Sequence, residues 1–162
     1  MDAIYHIATK EEFARLWQKN IHNNPSDPRW PQWARDYAAY VEKGMAVTFA
    51  AVLGGEPVGE ATLLLSPACK AVGGRTQLAN GQTVANVNAL RMEKSWEGQG
   101  HMSRLVKELE SYARAQGLRA LTIGVDAWET RNLAIYLHWG YTTYVMAEEE
   151  AAGPVLYYQK ML

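Results

Sequence analysis

Along this chain the apolar residues switch repeatedly between two spacings, and the order of those switches restricts the fold more than composition does. Residues 3–8 (AIYHIA) read as a strand. Thr9 followed by Glu12 is the signature of a capping box. Phe13, Leu16, Trp17 and Ile21 then recur at helical spacing. The run NNPSDPRWP (23–31) breaks that helix, and Trp33, Tyr37, Tyr40 and Val41 carry a second one, which Gly44 can end. Residues 45–53 and 57–65 flank Gly54 and Gly55 and read as a hairpin. A long polar connection (66–82) precedes a strand at 83–92. A helix follows with Met102, Leu105, Val106, Leu109, Tyr112 and Ala113 on one face, and Gly117 after it. A strand at 118–128, a short helix at 129–140, and strands at 141–147 and 154–162 complete the chain. The order β-α-α-β-β-β-α-β-α-β-β predicts an α/β (α+β) fold built on a mixed sheet. No repeat, low-complexity tract or linker divides it, so residues 1–162 are expected to form a single domain.

The chain has 16 basic and 17 acidic side chains and a formal net charge of -1, which argues against a generic nucleic-acid binder. Cys69 is the only cysteine, so no internal disulfide can form, and it reads as a small inert thiol. No metal site is expected. No apolar run approaches the roughly 18 residues of a membrane span, and the N-terminal residues lack a signal-peptide core. The expectation is a cytoplasmic protein with no membrane or nucleic-acid partner.

The stretch EGQGHMSRL (97–105) sets Gly98 and Gly100 directly before a helix. A helix N-terminus carries unpaired N–H groups and a partial positive charge, and glycine lets a ligand approach the backbone closely. Three readings follow: a turn and N-cap without a ligand, a dinucleotide fingerprint, or a cradle for the pyrophosphate arm of coenzyme A. The dinucleotide pattern is weak, because Ser103 stands where a third glycine belongs and the preceding strand lies mid-chain behind a loop.

The longer run LRMEKSWEGQGHMSRLV resembles the cofactor-binding motif of the GNAT superfamily of N-acetyltransferases, Q/R-x-x-G-x-G/A opening a helix. Gly100 takes the first glycine slot, Ser103 the hydroxyl slot and Leu105 the apolar slot. Downstream, YLHWGY resembles the family's Y-x-x-x-G-F/Y, placing Tyr136 at the tyrosine position. The motif match covers roughly residues 83–141. Two slots depart from the pattern: Glu97 stands for Q/R and Met102 for G/A. Glu97 would repel a phosphate, Met102 would narrow the cradle, and Lys94, Arg104 and Arg131 are available as compensating charges.

The resemblance implies a mostly antiparallel central sheet flanked by helices, with splayed central strands. It also implies acetyl-CoA as donor and a small-molecule or peptide amine as acceptor, and it allows a homodimer. The backbone of Leu90, Arg91 and Met92 would meet the pantetheine arm, with Met92 N–H as oxyanion donor. Glu97, Gly98, Gln99, Gly100, His101, Met102 and Ser103 would surround the pyrophosphate. His101 itself reads as an exposed helix-start residue. Tyr136 would act as acid, or as hydrogen-bond donor, toward the leaving sulfur. Where the family carries Asn, seven residues before the tyrosine, this chain has Glu129, and Asn132 is the substitute cofactor contact. The general base is open: Asn86 and Asn88 cannot serve, Glu60 ranks first and Asp126 second. Trp30 and Trp33 are candidate walls of an acceptor pocket. Glu148, Glu149 and Glu150 are expected in the last hairpin connection. Competing readings are a non-catalytic acyl-CoA-binding or sensing domain, and the same fold with a longer acyl group.

Overall fold

A computed structural model describes residues 2–162. The elements are β1 (Ala3–Ile7), α1 (Lys10–Asn23), α2 (Arg29–Glu42), β2 (Ala46–Leu53), β3 (Glu56–Leu64) and β4 (Val84–Met92). After a 3₁₀ turn (Lys94–Trp96) come α3 (His101–Ala115), β5 (Ala120–Asp126), α4 (Thr130–His138), β6 (Thr143–Glu150) and β7 (Gly153–Met161). The strands hydrogen-bond in the order β1-β2-β3-β4-β5-β7-β6. The β4–β5 ladder is parallel; β1–β2, β5–β7 and β6–β7 are antiparallel. The sheet is thus mixed and mostly antiparallel, as expected. Among the described residues no helix is long and apolar enough to cross a membrane.

The chain divides into two compact units, Met1–Leu63 with Ala89–Leu109, and Leu64–Asn88 with Glu110–Leu162. In the first, the Thr9 side chain accepts from Glu12 N while Glu12 accepts from Thr9 N, closing the expected capping box. The helix it starts turns Leu16 and Trp17 inward, and Leu16 clusters with Ala50 and Val52 of β2. Strands β2 and β3 are buried along nearly their whole length. Each fully buried leucine or valine in them contributes roughly 1.5–3 kcal/mol.

The second unit is built on β5 and β7, paired from Ala120↔Met161 to Asp126↔Val155. Gly124 lets the Tyr157 ring lie flat on β5: an added Cβ would sit 2.7 Å from Tyr157 Cε1. Glu110 of α3 is buried and accepts from Tyr141 Oη at 2.9 Å and from Lys160 Nζ at 3.0 Å. The connection before β4 is more ordered than its polar composition predicts. Cys69, Val72, Leu78 and Ala79 are fully buried, and Thr122 Oγ1 donates to Leu78 O at 2.7 Å.

One element boundary is corrected. Glu148, Glu149 and Glu150 lie within β6, opposite Val155, Pro154 and Gly153, and the turn falls at the next two residues. Gly153, at φ 113, starts the return strand. The three carboxylates stay exposed on an edge strand, where charge is well tolerated and discourages edge-to-edge pairing. Glu148 also pairs with Arg75.

Candidate active site

The end of β4, the 3₁₀ turn and the start of α3 form one continuous loop in the first unit. Gly98 and Gly100 take left-handed conformations, φ 73 and 84, that residues with a Cβ rarely adopt. A Cβ on either would meet nothing within 4 Å, so the outer side of the loop is open. Arg104 N donates to Gly100 O at 3.1 Å, which begins the helical hydrogen-bond ladder at Gly100 and leaves the first-turn N–H groups of α3 without a partner one turn back. Glu97 and Gln99 are exposed, and Gln99 donates to Ser95 O. Met102 and Ser103 are half-buried. His101 is not the exposed residue expected. Its Nδ1 lies 2.7 Å from Tyr5 Oη, and its ring meets the Trp96 edge 6.1 Å away.

Upstream, the β4–β5 ladder runs from Val84↔Ala120 to Val87↔Ile123. Two residues beyond its end, Ala89 has φ 53, a left-handed conformation in the middle of a strand. A left-handed residue within a strand is the conformation found at β-bulges, which bend a strand and re-aim the side chains beyond. Leu90, Arg91 and Met92 follow this kink, and all three are half-buried. Met92 lies across β3 at Gly59, where an added Cβ would sit 2.4 Å from Met92 Cε.

Glu60 is 2% exposed and not the surface residue that a single strand position suggests. Its Oε1 accepts from an Arg91 terminal nitrogen at 3.2 Å and its Oε2 from Asn20 Nδ2 at 2.8 Å. Burial pushes its carboxyl above the ordinary range, while Arg91 and Asn20 pull it back. It lines a cavity of about 80 Å³ together with Leu16, Asn20, Arg91, Met92 and Glu93. Lys19, on the same wall, bonds to Pro57 O at 2.7 Å, Glu56 at 2.6 Å and Glu93 at 2.8 Å. The Arg91 guanidinium packs over Trp17 at 5.1 Å and Trp30 at 4.8 Å. Trp30 thus faces a cation, and that cation is the chain's own arginine. Trp33 packs edge-on against Trp30 and under Arg29.

In the second unit, Tyr136 is half-buried on α4, its ring 5.7 Å from that of Trp139. Burial, and then the Glu129 charge, push its hydroxyl up to about 12. That is opposite to the lowering that full proton transfer to a thiolate would need. Asn132 is half-buried and donates to Glu129. Asn86 and Asn88 form a local network: Asn88 Nδ2 donates to Asn86 Oδ1, and Asn86 Nδ2 to Thr122 Oγ1. Asp126 ends β5, half-buried.

The first unit thus brings Glu60, Arg91 and Met92 around one cavity. The sequence reading missed three participants there: Asn20, Lys19 and the side chain of Arg91. Their signal was weak, since polar residues on one helix face usually meet solvent. Ala89 was missed because alanine carries no mark of a left-handed conformation.

Known proteins complete the picture. No curated protein sequence matches this chain. Among solved structures, an aminoglycoside 6'-acetyltransferase type Ii superposes with a TM-score of 0.75 at 19% identity, covering 98% of this chain and 96% of its own. A ribosomal-protein-alanine N-acetyltransferase from Brucella melitensis gives 0.72 at 15%, covering 98% and 99%. RimL, a ribosomal L7/L12 α-N-protein acetyltransferase in complex with coenzyme A, gives 0.69 at 18%, covering 99% and 94%. At these identities the likeness establishes the fold. The profile of the acetyltransferase (GNAT) family matches residues 1–141, nearly the whole chain, and with the glycine loop and the strand order it leads to one assignment: this chain belongs to the GNAT family of acetyltransferases.

Proposed function

We propose that this chain is an N-acetyltransferase that moves the acetyl group of acetyl-CoA onto the amine of a small-molecule or peptide acceptor by direct attack. GNAT acetyltransferases use acetyl-CoA, so the donor follows from the family. The loop fits it: Gly98 and Gly100 leave open space where side chains would intrude, and α3 presents its N-terminal N–H groups there. Exposed Glu97 is free to turn away, and Lys94 and Arg104 are exposed nearby in sequence. Leu90, Arg91 and Met92 offer backbone to the pantetheine arm. The donor supplies an activated carbonyl; the protein supplies alignment, a proton acceptor and two hydrogen bonds.

The observation that carries this reading is the cavity that Glu60 shares with Met92. An alkyl ammonium with a pKa near ~10.4 costs roughly 4–5 kcal/mol to deprotonate at neutral pH. A buried carboxylate whose pKa is raised is a stronger base than an exposed one. In the proposal, Glu60 takes one proton from the ammonium, directly or through a water. The nitrogen lone pair then forms the C–N bond, the C–S bond breaks, and the sulfur leaves with its electron pair. The second nitrogen proton goes to solvent as the thiol is protonated. Met92 N–H would stabilise the carbonyl oxygen, a donor whose loss typically costs about 10²–10³ in rate. Tyr136, with its hydroxyl held protonated, would donate a hydrogen bond to the developing thiolate. Asn132, bonded to Glu129, would contact the cofactor.

The test is calorimetric titration with acetyl-CoA, with NAD as control, followed by free-thiol release across an amine panel. Micromolar acetyl-CoA binding, no NAD binding and amine-dependent thiol release are expected. Binding without release on any amine would favour the non-catalytic acyl-CoA sensor, the alternative that the Glu97 and Met102 departures motivate. Absence of acetyl-CoA binding would refute both.

A further inference from the structure

The charges around the Glu60 cavity balance: Lys19 and Arg91 against Glu60 and Glu93. A balanced wall has no net attraction for a polycation or a polyanion, but it matches a ligand that carries one charge of each sign. The two cations are not equivalent. Lys19 has three donors and three acceptors, Pro57 O, Glu56 and Glu93, so it has none to spare. Arg91 has five N–H donors. Its only hydrogen bond among the described residues is the 3.2 Å contact to Glu60.

The surroundings of Arg91 do not use up its donors. Its guanidinium carbon sits 5.1 and 4.8 Å from the ring centroids of Trp17 and Trp30. Cation–π contacts engage the charge and none of the N–H groups. A guanidinium pairs best with a planar, bidentate acceptor, and a carboxylate is that partner.

Resting on the acetyl-transfer reading above, we propose that the acceptor is a small amino acid, whose carboxylate pairs with Arg91 while its amine faces Glu60. The cavity of about 80 Å³ has room for several water-sized groups, which suits a compact zwitterion rather than a long chain. The arrangement also links recognition to chemistry. Arg91 is one of the two groups that hold the Glu60 carboxyl down against burial. An acceptor carboxylate that shares Arg91 weakens that hold, which offsets part of the lowering that the acceptor's own ammonium exerts on Glu60.

The experiment is calorimetric titration of the protein saturated with coenzyme A, which allows binding without turnover. The probes are the α-amino acids, decarboxylated counterparts (ethanolamine against serine, histamine against histidine, tyramine against tyrosine), and spermidine. At least one amino acid is expected to bind about 10–100-fold more tightly than its decarboxylated amine. In Arg91→Gln that preference should fall to within about twofold. The double variant Glu60→Gln/Arg91→Gln removes both charges together and should lose the preference equally, so a folding defect from an unpaired Glu60 does not decide the outcome. The proposal is overturned if no amino acid binds, if amines or spermidine bind as tightly as amino acids, or if either folded variant keeps the preference. Thiol release separates the two readings. Acetylation of spermidine but not of amino acids leaves the transfer reading standing and removes this one. Carboxylate-dependent binding without thiol release removes the transfer reading, and with it the acceptor role proposed here, and leaves only the Arg91–carboxylate pairing.

Discussion

Replacing Ala89 tests the kink in β4 directly, because its backbone inverts the ordinary rules for a strand. At φ 53 a residue with a Cβ costs roughly 1–2 kcal/mol. Glycine removes that cost, but it adds about 0.4–1 kcal/mol of unfolded-state entropy. It also gives up part of the roughly 0.8 kcal/mol of a half-buried methyl. Ala89→Gly is therefore expected within about 0.5 kcal/mol of wild type. Ala89→Val places a β-branched residue where such residues are outliers, adding roughly 1–2 kcal/mol of destabilisation. In an ordinary extended strand the order reverses, with valine favoured over glycine by about 1–2 kcal/mol. Thermal melts read the sign: a chain of this size shifts by about 2–4 °C per kcal/mol. Glycine should melt about 2–8 °C above valine and close to wild type. A valine variant as stable as wild type, with glycine well below both, would refute the left-handed conformation and with it the bend at Leu90 and Met92.

Tyr136→Phe should lower turnover about tenfold or more with acetyl-CoA affinity unchanged; equal turnover removes Tyr136 from the mechanism. Because its hydroxyl is pushed up to about 12, Tyr136 stays protonated well beyond neutrality, and an alkaline limb of the rate profile below pH 10 should persist in the phenylalanine variant. Glu60 has a folded pKa above its ordinary 4.5, so the stability it confers is full below that value and is lost as pH rises through the raised pKa. The stability of wild type relative to Glu60→Gln should accordingly fall as pH rises from 4.5 toward 7, measured by urea unfolding, and a rising difference would contradict the burial argument. Tyr141→Phe should cost about 1.5–3 kcal/mol by removing a bond to a buried carboxylate, and Lys160→Met about 3–5 kcal/mol by leaving Glu110 without its cation. Equal, negligible losses in denaturant melts would show that Glu110 is solvated. Thr9→Ala should cost about 1 kcal/mol in the same assay by opening the capping box.

The features readable from sequence were those in which cause and effect lie within a few residues. The capping box needs only Thr9 and Glu12; the β2–β3 hairpin needs only Gly54 and Gly55. The glycine loop was legible for the same reason, since a motif of nine residues carries its own geometry. The burial of Glu60 was not, because β3 is buried on both faces and alternation gives no warning of which polar residue lies inside. Its partners lie 40 residues before it and 31 after it in sequence. His101 misled in the same way: its environment comes from Tyr5, 96 residues upstream. The glutamates of β6 look like a turn because a run of charge suggests solvent, yet an edge strand also meets solvent while keeping its ladder.

The separation of Glu60 from Arg91 has a further consequence, for a chain being made. Glu60 emerges from the ribosome 31 residues ahead of its counter-ion. At roughly 5–20 residues per second, that interval is on the order of 2–6 s. Until Arg91 arrives, burying the β2–β3 hairpin would bury a carboxylate that has Asn20 as a hydrogen-bond donor but no counter-ion. The nascent N-terminal half has reason to stay undocked for those seconds and exposes its apolar strands to whatever chaperone is at hand.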